Sequence, residues 1–350
     1  MTVKYLKECC TLNMGQSPDS KTYNDRGSGL PFYQGNADFG EIHPTTRVWC
    51  SKPVKIAKKG DILISVRAPI GAMNIATEKC CIGRGLAALT PHEEEYDRQY
   101  LFYAIQSKVD SLIAQGTGST FKAVSKKTLE DTPIPDYALS QQRQITANLA
   151  IIDRSIASRK EQERLLEQAV KSRFIELFGD PIINPMQWQQ EALEENATLL
   201  NGRAYKQNEL LDGGKYPVLR VGNFFSNRGW YYSDLELEED KYCDNGDLLY
   251  AWSASFGPQI WDGGKVIYHY HIWKVLVGSS YNKQFLCKLL EYATDSLMGD
   301  THGIAMMHLT KSGMEKTPFI VPPLELQEQF AAFVEQTDKS KLCGKLEEIG

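Results

Sequence analysis

The sequence lacks the features that mark secreted and membrane proteins. Its N-terminus, MTVKYLKECC, has no apolar segment of the signal-peptide type. No run approaches the length of about 18 apolar residues that crosses a membrane. Only 8 of the 350 residues are cysteine, with no CxxC pair and no Cys/His cluster at zinc spacing. We therefore expect a cytoplasmic protein with reduced thiols and no membrane partner.

Complete catalytic motifs are also absent. The sequence has no GxxxxGK[ST] phosphate loop and no HExxH, and Gly83-Arg84-Gly85 lacks the third glycine of a dinucleotide fingerprint. His269 and His271 would share one face of a strand, but no third metal ligand is near them in the sequence. Asn184-Pro185-Met186 and Glu239-Asp240-Lys241 are only fragments of amino-methylation and nuclease motifs. We predict no catalytic residues, no cofactor and no bound metal, with an enzyme of unrecognised motif as the alternative.

What is present is an ordinary globular composition with an uneven charge. Hydrophobic residues make up 42% of the chain and charged residues 24%, and its length predicts two or three domains. The net charge is −5, and residues 179–323 hold 12 Lys and Arg against 18 Asp and Glu. This balance argues against polyanion binding over the whole surface. It leaves one nucleic-acid-binding face possible, because the local electrostatic potential of that face, and not the net charge, determines whether it binds a polyanion.

The chain repeats itself once. Four pairs of segments align in the same order, at offsets of 185 to 187 residues: Leu6–Gly15 with Leu193–Gly202, Gly60–Leu63 with Gly246–Leu249, Thr132–Ile134 with Thr317–Phe319, and Leu139–Ile145 with Leu324–Phe330. A period this long indicates a duplicated domain rather than a solenoid.

A long helix is predicted at the end of each repeat. Residues 139–178 contain no proline or glycine, and apolar residues recur with alternating spacings of four and three from Ile145 through Ile152 and Ile156. This heptad pattern favours a coiled-coil helix of roughly 60 Å over an ordinary long surface helix. The second copy opens the same way at Leu324 but has fewer residues.

Loops rich in Gly, Ser and Thr supply candidate binding residues in both repeats. Backbone amides of such loops and Lys or Arg side chains hold phosphates, and Arg or Lys also reads guanine edges. The candidates are Arg67, Arg84, Thr117, Ser119, Thr120 and Lys122 in the first repeat, and Trp252, Ser253, Ser255 and His302 in the second. The alternative is that each loop is a simple turn. In that case Arg84 pairs with a local carboxylate and only closes its own turn.

Several segments resemble the specificity subunit of type I restriction-modification systems. They are Gly60–Gly71, Gly116–Thr120, Thr132–Pro135 followed by Leu139–Ile145, Gly246–Leu249 and Val321–Gln327. The most specific is the junction in which prolines precede LSxQxxI and a long helix. Two departures stand out: Asp136-Tyr137-Ala138 replaces the usual proline, and Gly118-Ser119-Thr120 has no counterpart at Gly303-Ile304-Ala305.

The resemblance implies an α+β fold with two globular target-recognition domains, 1–138 and 181–323. Each is followed by a long helix, 139–180 and 324–350, and the two helices pair as an antiparallel coiled coil. It implies a non-catalytic subunit that reads a bipartite double-stranded DNA target. Its partners would be two modification (methyltransferase) subunits and a restriction (endonuclease and translocase) subunit. The alternatives are a DNA-acting nuclease or methyltransferase, or a scaffold that touches no DNA.

Overall fold

The chain divides into two compact units, residues 1–157 and 158–350, which we call the first and the second unit. In the computed structural model the described residues are 2–117, 122–226, 229–253, 255–299 and 310–346. The side chains of 295–299 and 341–346 are not among them. Each unit is described separately.

The first unit combines short strands with four short helices and the start of a long one. Its strands are β1 (Thr2–Tyr5), β2 (Cys10–Met14), β3 (Tyr23–Asn24), β4 (Leu30–Tyr33), β5 (Trp49–Cys50), β6 (Ile56–Ala57), β7 (Ile62–Ser65), β8 (Met73–Ile75), β9 (Cys80–Ile82), β10 (Leu86–Pro91) and β11 (Pro133–Asp136). Its helices are α1 (Leu6–Cys9), α2 (Arg98–Gln106), α3 (Val109–Gln115), α4 (Lys126–Glu130) and α5 (Leu139–Phe178), which continues into the second unit.

Within the described residues, the second unit follows a similar order of elements, with one strand fewer, an additional helix after its third strand, and one helix where the first unit has α2 and α3. Its strands are β12 (Gln190–Ala192), β13 (Ala197–Asn201), β14 (Tyr216–Leu219), β15 (Tyr231–Ser233), β16 (Tyr242–Cys243), β17 (Leu248–Ser253), β18 (Ser255–Ile260), β19 (Val266–Tyr268), β20 (Ile272–Val277) and β21 (Pro318–Ile320). Its helices are α6 (Leu193–Asn196), α7 (Val221–Phe225), α8 (Lys283–Gly299), α9 (Lys311–Lys316) and α10 (Leu324–Leu346).

The two units share one sheet topology. A four-stranded antiparallel sheet has the order β2-β10-β7-β8 in the first unit and β13-β20-β17-β18 in the second. A second sheet in each unit contains one parallel pair, β4 with β9 and β14 with β19. Each unit also has a separate two-stranded sheet, β1 with β11 in the first unit and β12 with β21 in the second. The last strand of each sheet, β11 or β21, is followed in the sequence by a long helix. The internal repeat of the sequence is therefore also a repeat of the fold.

Alternation along the central strands places side chains in two separate cores. In β7, Ile62 and Ile64 belong to the core that includes α2, whereas Leu63 belongs to the core that includes Tyr33 of β4. Because successive side chains of a strand point to opposite faces, this sheet is covered on both sides. That explains why all four residues of β7 are buried. Strand β17 divides in the same way, with Leu248 and Leu249 in different cores.

The long helix predicted from the heptad pattern is present as α5, which runs 40 residues and ends before Gly179, a residue with φ of 73°. In the second unit, α5 is buried at Val170, Phe174 and Phe178. Continued along the helix, the spacings of four and three place Val170, Arg173 and Leu177 on the seam, so Val170 is buried as predicted, whereas Phe174 and Phe178 lie off the predicted seam. The difference arises because this end of α5 packs on the core of the unit, through Phe285 of α8 as well as Phe330 of α10.

The middle of the predicted seam is open to solvent. Ile152 is 53% exposed and Ile156 is 44% exposed. Pairing of α5 with a second helix along these residues stays a prediction.

The adjacent cysteine pairs are buried, as their reading as small apolar residues predicted. Cys9, Cys10, Cys80 and Cys81 are free thiols at 2% exposure or less. Burial raises the pKa of both Cys10 and Cys80 to about 12, so these thiols are protonated at neutral pH. Their side chains act as packing groups.

Candidate functional site

The first unit contains a cleft that brings Arg67 and Arg84 together. It has a volume of about 230 Å³, and we call it the arginine cleft. Its lining residues come from the ends of β4 and β7 and from the turn between β9 and β10: Gln34, Gly35, Asn36, Ser65, Arg67, Ala68, Arg84 and Gly85. Two of the residues selected from the sequence, 17 positions apart, therefore line one concave site.

Backbone hydrogen bonds assemble this cleft. The Gly83 N–H donates to the Tyr33 carbonyl at 2.8 Å, and the Gly85 N–H donates to the Gln34 carbonyl at 3.2 Å. On the other side, the Val66 N–H donates to the Gly85 carbonyl at 2.9 Å. The turn that carries Arg84 is thus bonded to both neighbouring segments.

The glycine after Arg84 is required by close backbone approach. A Cβ at Gly85 would lie 2.4 Å from the Gln34 carbonyl oxygen, a distance that no side chain could occupy. Glycine at this position therefore lets the turn reach the end of β4. The sequence had indicated only that the two flanking glycines leave the Arg84 side chain unobstructed.

Both guanidinium groups are available for an external anion or base. Arg67 and Arg84 are exposed, and within the described part of the chain neither forms an ion pair. The backbone of Arg84 is held by its N–H, which donates to the Ser17 hydroxyl at 3.2 Å. The alternative in which Arg84 closes a turn with a carboxylate finds no such partner among the described residues.

The loop that carries Thr117 and Lys122 lies next to Arg67. Thr117 and Ala123 exchange two backbone hydrogen bonds of 3.0 and 2.9 Å, and Ala123 also bridges to Arg67. Thr117 and Lys122 are exposed at the base of this loop. Ser119 and Thr120 lie outside the described residues.

The second-unit candidates are at the hairpin of β17 and β18. Trp252 is half-buried: its indole N–H donates to the Tyr270 carbonyl at 2.8 Å, and its ring stacks on Trp273 at 5.8 Å. Ser253 and Ser255 face each other where the hairpin turns. His302 lies outside the described residues. The geometry gives Trp252 a packing contact and leaves Ser255 exposed.

Sequence reasoning missed two residues of the arginine cleft, Gln34 and Asn36. Their amide side chains can donate and accept hydrogen bonds, which suits recognition of base edges. They follow β4 in the segment Gln34-Gly35-Asn36, whose glycine and asparagine signal a turn but which contains no basic residue. The parallel pairing of β4 with β9 brings them beside Arg84, and the sequence carries no signal for that pairing.

The fragments of catalytic motifs adopt other contacts. Lys241 pairs with the adjacent Asp240 carboxylate and also donates to the Asn201 carbonyl. Among the described residues, no group of three His, Cys, Asp or Glu side chains is placed to hold a metal. Burial first, and then His271 and Arg220, lower the pKa of His269 to about 4, so its imidazole is neutral at neutral pH. Nor does the described part of the chain contain a helix long and apolar enough to span a bilayer.

The chain thus belongs to the class of proteins with two repeated α+β units and a long helix between them, and its first unit has a cleft with two exposed arginines. The family model for the type I restriction modification DNA specificity domain matches residues 1–168 and again residues 185–349. The chain belongs to this family, with one copy of the domain in each half.

Relatives extend over one or both halves. A putative type I restriction enzyme MjaX specificity subunit from Methanocaldococcus jannaschii is 42% identical over 168 residues, which is 48% of this chain and 39% of that protein. The MjaIX specificity subunit of the same organism is 23% identical over 95% of this chain and 85% of its own length. The first of these matches thus spans about two fifths of the relative.

A solved structure supports the fold. The type I restriction-modification S subunit from M. genitalium aligns with a TM-score of 0.57 over 99% of this chain and 91% of its own length, at 15% identity. A likeness at this identity concerns the fold alone. It agrees with the expected α+β architecture of two globular domains.

Proposed function

We propose that this chain is the DNA-reading specificity subunit of a type I restriction-modification complex. Each unit reads one half of a bipartite duplex target. The observation that carries the proposal is that the family domain matches twice, once in each half, and that the first copy holds two exposed arginines in one cleft. Arg is suited to this work because its guanidinium pairs with both acceptors of guanine or with phosphate.

The division of labour follows the proposed domain boundaries. Residues 1–138 and 181–323 are the target-recognition domains, and 139–180 and 324–350 are spacer helices that pair antiparallel. Packing of Phe330 against Phe174 and Phe178 at 5.4 and 5.7 Å supports a helix contact at the start of α10. A stiff spacer would hold the two target-recognition domains at a fixed distance. That distance would set the separation of the two DNA half-sites, as in dimeric DNA-binding proteins.

The chemistry in this proposal belongs to partner subunits. The chain itself is non-catalytic, and it binds two modification subunits and a restriction subunit as well as DNA. The amide side chains of Gln34 and Asn36 beside two guanidinium groups support recognition, since this set offers hydrogen bonds and positive charge but no nucleophile or paired carboxylates.

Methylation mapping tests the proposal. Genomic DNA is sequenced for methylated bases from cells that carry the complete system, and from cells in which only this chain is deleted. We expect a methylated bipartite sequence that disappears on deletion and returns with the gene on a plasmid. Methylation that persists without the chain would contradict the proposal. Purified chain that binds S-adenosylmethionine and methylates DNA alone would favour the enzyme alternative.

A further inference from the structure

The repeat of the fold identifies which residues of the second unit occupy the positions of the arginine cleft. Strand β9 pairs parallel to β4 in the first unit, and β19 pairs parallel to β14 in the second. After these pairs, the Gly83 N–H donates to the Tyr33 carbonyl at 2.8 Å, and the His269 N–H donates to the Leu219 carbonyl at 2.9 Å. Gly83 and His269 therefore hold equivalent positions.

Further hydrogen bonds fix the same register. The Val66 N–H donates to the Gly85 carbonyl at 2.9 Å, and the Trp252 N–H donates to the His271 carbonyl at 3.0 Å. The turn at residues 269–271, which we call the tyrosine turn, is thus the counterpart of the turn at residues 83–85. In this register Tyr270 stands where the first unit has Arg84.

The segment after the parallel strand is equivalent as well. Tyr33 corresponds to Leu219, so the next residue, Gln34, corresponds to Arg220. A polar amide in the first cleft is matched by a guanidinium in the second unit, while the guanidinium of Arg84 is matched by a phenol.

The side chains at these positions are open. Tyr270 is 38% exposed, and Arg220 is exposed with its guanidinium 5.0 Å from the centre of the Tyr231 ring. Across the described residues, neither the Tyr270 hydroxyl nor the Arg220 guanidinium has a hydrogen-bonding side-chain partner. The Tyr270 ring is supported from behind by His269 at 4.5 Å and His271 at 4.0 Å. Arg220 also contributes to lowering the pKa of the neighbouring His269, so an exposed aromatic ring and a cation are found at the same turn.

We propose that the second unit contacts duplex DNA through Tyr270 and Arg220, at the position equivalent to the arginine cleft. This rests on the proposed function, and it adds the tyrosine turn to the β17–β18 hairpin, where Ser253 follows Trp252 as Arg67 follows Val66 in the first unit. Tyr270 offers one hydroxyl and an apolar ring, which can contact a base edge or a thymine methyl group but cannot make a bidentate bond to guanine. Arg220 supplies the positive charge.

The test uses full-length chain assembled with its modification subunit, and a library of duplex DNA carrying about 30 random base pairs as the probe. Bound DNA is sequenced for wild type and for Tyr270→Ala, Tyr270→Arg and Arg220→Ala. Lys316→Ala, which removes an exposed charge from α9 in the same unit, is the matched control. Thermal melting checks that each variant folds.

We expect Tyr270→Ala to lose discrimination at one position of the second half-site by about 5-fold, the lower end of the range for one mismatched base pair, because a single hydroxyl or methyl contact is removed. Tyr270→Arg introduces the side chain that the first unit has at the equivalent position, Arg84. It should shift the preferred base at that position of the second half-site toward guanine. Arg220→Ala should weaken binding and reduce the salt slope by about one. The first half-site and the Lys316→Ala variant should match wild type.

The outcomes separate this inference from the proposed function. If wild-type complex enriches no bipartite sequence, the proposed function fails. If wild type enriches one and both Tyr270 variants keep the same second half-site, the tyrosine turn is not a reading element and this inference is overturned. Tyr270→Arg keeps the test valid even if Tyr270→Ala melts at a lower temperature.

Discussion

At the scale of residues, the arginine cleft combines two kinds of hydrogen-bonding groups. Arg67 and Arg84 offer the forked donors that match guanine, and Gln34 and Asn36 offer the donor and acceptor pair that matches adenine. All four line one space of about 230 Å³. Such a mixture can distinguish bases, whereas a cleft of cations alone would bind phosphates without sequence preference.

Arg84→Ala tests this reading of the cleft. We expect the variant to relax one position of the first half-site, with a loss of about 1–3 kcal/mol of discrimination, because a bidentate contact to a base edge is removed. Binding selections at several salt concentrations measure it. Arg26→Ala, which removes an exposed arginine outside the cleft, is the control. Equal weakening toward every sequence, with a shallower salt slope, would instead make Arg84 a phosphate contact.

The folding stability of the second unit should depend on pH through His269. Its pKa is lowered to about 4 in the folded chain, chiefly by burial, against about 6.5 when unfolded. Between these values the unfolded chain binds more protons, so stability is lost as pH falls from 6.5 toward 4. His269→Gln should reduce the acid-induced loss in the free energy of unfolding by at most about 3 kcal/mol.

Urea denaturation at pH 7 and pH 4.5 measures this change. The comparison is between wild type, His269→Gln and His43→Gln, which alters a more exposed histidine of the first unit. The same loss of stability in all three proteins would contradict the assignment.

At the scale of elements, one buried glutamine holds the start of each long helix. Gln142 of α5 is fully buried: its side-chain oxygen accepts from the Asp97 N–H at 2.9 Å, and its amide donates to the Glu95 and Tyr137 carbonyls. Gln327 of α10 makes the same three kinds of bond with Asn282, Ser280 and Pro322. The LSxQ motif is thus a junction between the helix and the recognition domain before it.

Gln142→Leu should destabilise the first unit by about 2–5 kcal/mol, because three partly buried backbone groups around this buried side chain lose their partner at once. Calorimetric melting of the full chain measures the change. Gln144→Leu, at an exposed position of the same helix, controls for the substitution and should melt close to wild type. A melting temperature unchanged in Gln142→Leu would show that water replaces the glutamine without cost.

The elements also show how far the sequence could predict this molecule. The duplication and the long helix were accessible because they are encoded by repeated segments and by local periodicity. The burial of Phe174 and Phe178 could not be predicted, because tertiary packing against α8 overrides the heptad pattern at that end of α5. Gln34, Asn36 and the tyrosine turn could not be found, because parallel strand pairing brings together segments that are distant in sequence.

At the scale of the whole molecule, the two units keep one fold while their equivalent reading positions carry different chemistry. Arg84 is matched by Tyr270, and Gln34 is matched by Arg220. Conserved topology with divergent loop residues is what two readers of different half-sites require, since strands set where the side chains stand and the side chains select the bases. The same argument makes each unit exchangeable.

Exchange of residues 1–138 for the first recognition domain of a relative should therefore change one half of the methylated sequence only. The junction tolerates the exchange because Gln142 bonds to backbone groups, which any sequence of the same fold provides. Because α5 is retained, the spacing between the half-sites should also stay the same. Genomic methylation mapping reads out both halves and the spacing, and exchange of residues 181–323 is the reciprocal control. A change in both halves from a single exchange would mean that the two units read DNA jointly, and the modular interpretation would be wrong.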